Sequence, residues 1–148
     1  MDLVKELDKD IIEAMKQKDS VRLTTLRGVK GAMKLQSIDH KKEINDELLI
    51  EVISKEIKTR NESIKEFEKG SRQDLIDKTK IEIEILNKYL PEQLSQEEII
   101  EIIEKVFREV NPSGIKEMGK VMGAVTPLVK GKADMGVVSG FIRQKLNN

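Results

Sequence analysis

The sequence predicts an all-helical protein, with a four-helix unit at residues 1–92 followed by a small three-helix unit at residues 93–148. Apolar residues recur at intervals of three and four along most of the chain, which is the period of an amphipathic helix. The one alternating segment, residues 81–85, has no second strand candidate to pair with, and a longer window around it fits a helix. Pro91 falls at the junction between the two predicted units.

The first two helices are defined by their apolar faces. Their apolar residues are Leu3, Leu7, Ile11 and Met15 in the first helix, and Leu23, Leu26, Val29 and Met33 in the second. Gly28 and Gly31 lie three residues apart in the second helix, so they fall on nearly the same face. Glycine leaves room for a neighbouring backbone, and this spacing therefore predicts a close contact with another helix.

The third and fourth helices are bounded by polar residues and glycine. After a polar break at residues 38–45, a long helix is predicted over residues 46–67, and Gly70 ends it as a C-terminal cap. Ser71 opens a pattern of capping residues for the fourth helix. That helix is expected to stop at Leu90 because a proline follows.

The three predicted helices of the second unit begin with a capping box. Ser95 and Glu98 have the spacing at which each side chain caps the backbone of the other. Two shorter helices are predicted over residues 118–128 and residues 134–146. Pro127 fits the last turn of the first of these only if that turn bends.

Charge is balanced over the whole chain but unevenly distributed. The 27 basic and 27 acidic residues give a net charge of zero. Residues 112–148 nevertheless contain six basic and two acidic residues, a net charge of +4, which leaves −4 for the rest. An asymmetry of this kind indicates the chemistry of a partner and carries no information on the fold.

Composition excludes several classes of function. The chain has no cysteine and one histidine, His40, so thiolate zinc sites, a cysteine nucleophile and a histidine-rich metal site are excluded. Aromatic residues make up 3% with no tryptophan, which disfavours stacking on single-stranded nucleic acid. No apolar run has the length of a signal-peptide core or a membrane span, so we expect a cytoplasmic protein with no membrane partner.

No catalytic site is expected. His40 lies in a polar break, and the glutamates fall on the polar faces of predicted helices, so nothing indicates an acid–base pair. Residues 114–121 match the phosphate-loop pattern G-x-x-x-x-G-K, but Val121 stands where that loop needs serine or threonine, and no strand precedes it. We therefore expect no cofactor and no metal.

Glycines and lysines alternate near the C-terminus. Glycine permits close approach to a phosphate, lysine supplies charge, and helix N-termini supply amides that bind anions. Two interpretations of this composition stay open. The lysines are phosphate contacts, or they are ordinary solvated charges beside Gly131 as the cap of a helix.

Three segments resemble a known family. Residues 119–125 and 130–134 are similar to the tail of the GatB/YqeY family, and residues 87–95 resemble the domain junction of its stand-alone YqeY-like members. In that family the domain closes the B subunit of the glutamine-dependent amidotransferase that acts on charged tRNA. There it contacts tRNA while other domains perform the chemistry.

The resemblance implies an accessory tRNA-binding, or tRNA-enzyme-associated, helical module without a catalytic site. Any carbon–nitrogen ligase activity would belong to the larger family member. By this resemblance Lys120, Lys130 and Lys132 are phosphate contacts, with Gly119 and Gly131 permitting approach. The charge pattern, rather than the resemblance, adds three further candidates: Lys116, Arg143 and Lys145.

The expected partners follow from the same resemblance. They are tRNA and a synthetase or amidotransferase subunit, with no DNA. The alternative function is a protein-interaction module that docks such an enzyme through acidic N-terminal helices.

Overall fold

A computed structural model describes residues 2–148 and contains seven α-helices, one 3-10 turn and no strand in that range. The helices are α1 (Leu3–Lys16), α2 (Ser20–His40), α3 (Asp46–Lys69), α4 (Gln73–Asn87), α5 (Gln96–Val110), α6 (Met118–Val129) and α7 (Met135–Leu146). The all-helical prediction is confirmed, and residues 81–85 lie inside α4. The chain divides into two compact units, unit 1 at residues 1–90 and unit 2 at residues 91–148. Among residues 2–148, no helix is both long and apolar enough to cross a membrane.

Unit 1 packs α1 to α4 around one apolar core. The fully buried members of this core are Leu7, Leu26, Val29, Met33, Leu49, Ile53, Leu86 and Tyr89. Only the first half of α3 contributes buried residues to the core, the last of them Ile53. Beyond that point α3 packs along α4, where Ile76 and Thr79 are buried outside the core cluster.

The first three helices of unit 1 start at side-chain caps. Asp2, Asp19 and Asn45 each accept a hydrogen bond from a backbone N–H in the first turn of α1, α2 and α3. Such a cap satisfies one of the backbone donors that have no partner at the start of a helix.

Helix ends in unit 1 differ from the sequence prediction by two or three residues, and α3 continues to Lys69 rather than ending at residue 67. Helix α2 continues to His40, and Lys41 ends it in a left-handed conformation, so the break is shorter than predicted. Helix α4 stops at Asn87, because Tyr89 and Leu90 close tighter turns on Leu86 and Asn87. Leu90 therefore lies outside the helix that was predicted to reach it.

The connection between α3 and α4 also differs. Gly70 has a φ of −90°, and Ser71 takes the left-handed position with a φ of 54°. The N-cap of α4 is Arg72, whose side chain makes no capping bond. Its guanidinium instead pairs with Asp74 at 3.0 Å, so the predicted capping role of Ser71 is wrong.

Unit 2 packs α5, α6 and α7 around a second core. Its buried residues are Ile99, Ile103, Val106, Val121, Val125, Val129, Val138, Ile142 and Leu146. The capping box at the start of α5 is confirmed: the Glu98 N–H donates to Ser95 Oγ at 3.1 Å, and the Ser95 N–H donates to Glu98 Oε1 at 3.0 Å. Pro127 lies within the last turn of α6. The segment that matches the phosphate-loop pattern forms a 3-10 turn and the start of α6.

Candidate nucleic-acid interface

The eight predicted contact residues all lie in the C-terminal part of unit 2. They are Lys116 in the 3-10 turn, Gly119 and Lys120 in α6, Lys130, Gly131 and Lys132 in the following connection, and Arg143 and Lys145 in α7. All six cations among them are exposed. Each of the six is therefore accessible to solvent.

The eight residues fall into two groups. Helices α6 and α7 pack against each other and are joined by residues 130–134, so they form a helical hairpin. The connection carries three of the eight residues, and the others lie toward the open end of the hairpin. Helix α7 has 12 residues, so about 18 Å separates its ends. The structure therefore does not bring the eight residues together at one point.

The connection between α6 and α7 has a fixed backbone. Gly131 has a φ of 76°, a left-handed value that favours glycine. The Gly131 carbonyl accepts a hydrogen bond from the Gln93 side chain at 2.9 Å, and the Lys132 carbonyl accepts one from the Leu94 N–H at 2.8 Å. Gly131 thus has a structural role at the end of α6, whether or not its neighbours contact phosphate.

The helix N-terminus beside this connection is already occupied. Asp134 caps α7 and accepts a hydrogen bond from the Gly136 N–H at 2.7 Å. The predicted contribution of backbone amides at this position would need Asp134 to move. Any anion bound at this connection would therefore have to be held by side chains rather than by these backbone amides.

Glu117 lies near the other group of cations. Its carboxylate accepts hydrogen bonds from the backbone N–H and the hydroxyl of Ser113. These bonds, together with the nearby charge of Lys120, lower the pKa of Glu117 below its ordinary value. Since Glu117 stays ionised near neutral pH, it offsets part of the positive charge at the start of α6.

Two further candidates differ in how much the fold needs them. A Cβ placed on Gly119 would meet no atom of residues 2–148 within 4 Å, so packing in that range does not require glycine there. The Lys145 ammonium lies 5.3 Å from the centre of the Phe107 ring, which is a cation–π contact between α7 and α5. Lys145 therefore has a packing role as well as a charge.

The charge asymmetry lies inside unit 2. Residues 1–90 contain nineteen basic and nineteen acidic residues, and residues 91–148 contain eight of each, so both units are neutral. Within unit 2, residues 91–111 have two basic and six acidic residues, a net charge of −4, and residues 112–148 have +4. The expectation of an acidic N-terminal unit is wrong, because the excess acid belongs to α5 and the segment before it.

A buried ionic network in unit 1 was not predicted from the sequence. Asp10 of α1 is 4% exposed and accepts a hydrogen bond from the Tyr89 hydroxyl. Lys88 Nζ donates to the same carboxylate at 2.9 Å, and Arg22 of α2 lies 3.5 Å from its other oxygen. The signal in the sequence was an acidic residue on the apolar face of the first helix, one position before Ile11.

The network fixes the charge state of its members. Burial raises the pKa of Asp10, but the hydrogen bonds from Tyr89 and Lys88 and the charges of Lys88 and Arg22 outweigh it, so the pKa lies below its ordinary value. Burial, with the hydrogen bond to Asp10, raises the pKa of the Tyr89 phenol. The hydrogen bond to Asp10 likewise raises the pKa of Lys88. Asp10 is thus a structural anion whose oxygens are already engaged.

No cluster of three or more metal-ligating side chains is placed to hold a metal ion within residues 2–148. His40 is exposed at the end of α2.

The profile of a protein family described as Yqey-like protein matches residues 4–146. The chain belongs to the YqeY-like family. The resemblance found in residues 87–95 and in the C-terminal segments is therefore confirmed, and it extends over nearly the whole YqeY-like chain.

Several curated fungal proteins are similar to this YqeY-like chain, and each is named altered inheritance of mitochondria protein 41, mitochondrial. The protein of Kluyveromyces lactis is 41% identical over 90 residues, which are 60% of this chain and 49% of that protein. The protein of Candida glabrata is 43% identical over 88 residues, 58% of this chain and 48% of that protein. The protein of Pyrenophora tritici-repentis is 30% identical over 142 residues, 95% of this chain and 76% of that protein. The matched part of the chain thus spans about half the length of the first two relatives.

These relatives correct the expected location. A cytoplasmic protein was predicted because no signal-peptide core or membrane span was found, but the relatives are named as mitochondrial proteins. The absence of an apolar segment does not distinguish between two aqueous compartments, since neither requires one. The prediction of a cytoplasmic location is wrong on this comparison.

Proposed function

We propose that this YqeY-like chain is an accessory module that binds tRNA through the α6–α7 hairpin of unit 2 and has no chemistry of its own. The hairpin presents Lys120, Lys130 and Lys132 as phosphate contacts, with Lys116, Arg143 and Lys145 as further cations. The module acts in translation beside an enzyme, a synthetase or an amidotransferase, that modifies or charges the tRNA.

The observation that supports this proposal is the separation of charge within unit 2. Six exposed cations lie in residues 112–148, against two acidic residues, of which Asp134 is a helix cap and Glu117 bonds Ser113. The compensating acidic residues belong to residues 91–111. A phosphate backbone approaching the hairpin would therefore meet a local positive field although the unit as a whole is neutral.

The arrangement fits recognition of RNA shape. Two groups of cations separated by about 18 Å are suited to phosphates that lie apart on a folded RNA, rather than to one phosphate in a pocket. The α6 and α7 helices contain one aromatic residue, Phe141, which is only partly exposed, so stacking on unpaired bases contributes little.

The test is fluorescence anisotropy of labelled total tRNA with the full chain at several salt concentrations. Neutralising about four phosphates predicts a slope of roughly −3 to −4 for log K against log salt. In the double variant Lys120→Glu, Lys132→Glu, we expect tRNA binding to be at least about tenfold weaker at low salt. The magnitude of its log–log salt slope should fall by about two, one for each lysine replaced.

The matched control is Lys58→Glu, Lys65→Glu, which makes the same change in net charge at two exposed lysines of α3. The proposal requires that this control bind tRNA like the unmodified chain. Equal loss in both double variants would show attraction by net charge alone, and absence of binding at low salt would remove RNA as a direct ligand.

A further inference from the structure

The outward side of α2 carries a seam of small and apolar residues. Successive members are alternately four and three residues apart. They are Thr24, Gly28, Gly31, Leu35 and Ile38, and together they are called the α2 seam. All five are exposed, and Leu35 and Ile38 at 62% and 75% are the most exposed large apolar side chains described in the structure. The seam lies opposite the residues that α2 buries in the core. Alternation of three and four is the spacing by which one helix packs along another.

No contact within residues 2–148 accounts for the two glycines of the seam. A Cβ placed on Gly28 or Gly31 would meet no atom of that part of the chain within 4 Å, so the close helix contact predicted from their spacing is not made there. Glycine is among the poorest residues in a helix interior, and the fold itself gains nothing from it here. Glycine becomes favourable at these positions when a second helix packs there, because its backbone or a large side chain can then approach α2 closely.

Charge along one edge of the α2 seam indicates the occupant. Arg27 and Lys34 are exposed and seven residues apart, so they flank the seam on the same edge, and neither has an ion-pair partner within residues 2–148. Helix α2 as a whole has four basic residues and one acidic residue, although unit 1 is neutral. In an antiparallel pair of α2 helices this edge would face the same edge of the second copy, so Arg27 and Lys34 would meet like charges. An acidic helix would neutralise them.

We propose that the α2 seam docks an acidic amphipathic helix of a partner protein. The partner helix places apolar side chains over Gly28 and Gly31 and against Leu35 and Ile38, while glutamate or aspartate beside them pairs with Arg27 and Lys34. This is helix-on-helix recognition by a shallow apolar stripe with a charged edge. It uses a surface of unit 1, whereas the tRNA proposal uses unit 2, so either can fail without the other.

The probe is a designed 21-residue labelled peptide with leucine at the positions that face the seam and glutamate at the flanking positions. The matched peptide has lysine in place of each glutamate. Both are titrated with the full chain by fluorescence anisotropy. The proposal requires saturable binding of the glutamate peptide, at least about tenfold tighter than binding of the lysine peptide.

Three variants locate the binding on the protein. Gly31→Leu fills the seam and is expected to weaken binding at least about tenfold. Arg27→Glu, Lys34→Glu changes only exposed side chains and is expected to reverse the preference between the two peptides. Gly140→Leu is the matched control, because Gly140 is also an exposed helical glycine with no atom within 4 Å of a Cβ, but it lies in α7.

Several results would overturn the proposal. These are absence of binding, equal binding of both peptides, or equal loss with Gly31→Leu and Gly140→Leu. Self-association that is abolished by Leu35→Glu, Ile38→Glu would assign the seam to a second copy of the chain. Loss of tRNA binding in Arg27→Glu, Lys34→Glu would assign this edge to nucleic acid. If Gly31→Leu does not fold, the proposal is decided by whether Arg27→Glu, Lys34→Glu reverses the preference for the glutamate peptide over the lysine peptide.

Discussion

Replacing Asp10 by asparagine tests whether the buried network stabilises unit 1. Asp10 is 4% exposed, and its carboxylate joins α1 to Arg22 of α2 and to Lys88 and Tyr89 after α4. Asparagine keeps the size of the side chain and one acceptor for the Tyr89 hydroxyl. It removes the negative charge that Lys88 and Arg22 face.

The expected loss follows from those contacts. A hydrogen bond to a charged group contributes about 1.5–3 kcal/mol, and Lys88 donates to Asp10 at 2.9 Å. The Lys88 side chain is 51% exposed, so in the variant water solvates its ammonium and offsets part of the lost hydrogen bond. We therefore expect Asp10→Asn to lower the free energy of unfolding of unit 1 by about 2 kcal/mol at pH 7.

The assay uses a spectroscopic property of the chain. Tyr89 is the single tyrosine and there is no tryptophan, so intrinsic tyrosine fluorescence during urea unfolding reports unit 1. The folded pKa of Asp10 is lowered, so its contribution is fully present above the unfolded pKa, about 4, and is lost as the pH falls through the folded pKa. The difference between the unmodified chain and Asp10→Asn should therefore shrink below about pH 4.

The control is Asp8→Asn, two residues away in α1. Asp8 pairs with Lys30 at 2.7 Å, but both side chains are more than 40% exposed, so a loss of at most about 1 kcal/mol is expected. Equal effects of Asp8→Asn and Asp10→Asn, or a difference for Asp10→Asn that does not diminish in acid, would refute the assignment of Asp10 as a structural anion.

Two predictions concern unit 2, and hydrogen exchange of its helical amides measures both. Gly131→Ala should destabilise the α6–α7 hairpin by about 1–2 kcal/mol, because alanine is strained at the left-handed φ of residue 131. Gly140→Ala should stabilise α7 by up to about 1 kcal/mol, because alanine is a better helix former and the site has room for its Cβ. A change of stability with the same sign in both variants would contradict these two backbone roles. Ser95→Ala should destabilise α5 by about 1 kcal/mol, since the capping box is lost; unchanged exchange in the first turn would argue against the cap.

Features that depend only on residues close together in the chain could be predicted from the sequence. The capping box of Ser95 and Glu98 needs only residues three apart, and the amphipathic period decides between helix and strand at residues 81–85. Helix ends without a single dominant local signal differ from their predicted positions. At residues 71–74 Ser71 lies in a left-handed turn before the helix, and Asp74 pairs with Arg72, so no side chain caps α4.

Features that depend on the fold could not be predicted in the same way. Tyr89 and Asp10 are 79 positions apart, so their hydrogen bond follows only from how α1 packs beside the end of α4. The spacing of Gly28 and Gly31 predicted a close contact, but spacing alone does not say whether the second helix lies in the same chain. The candidate cations were found by the family resemblance and by the charge pattern, while their division between the two ends of the α6–α7 hairpin required the structure.

The length of α3 leads us to expect that one part of unit 1 opens on its own. The core residues that α3 buries end at Ile53, and this 24-residue helix continues to Lys69 with α4 as its packing partner. Backbone amides in the part of α3 beyond Ile53, and in the part of α4 that packs on it, should exchange through a sub-global opening whose free energy is lower than that of unfolding the core. The exposed turn at residues 70–72 is then where limited proteolysis would cut first, leaving a nicked but folded unit 1.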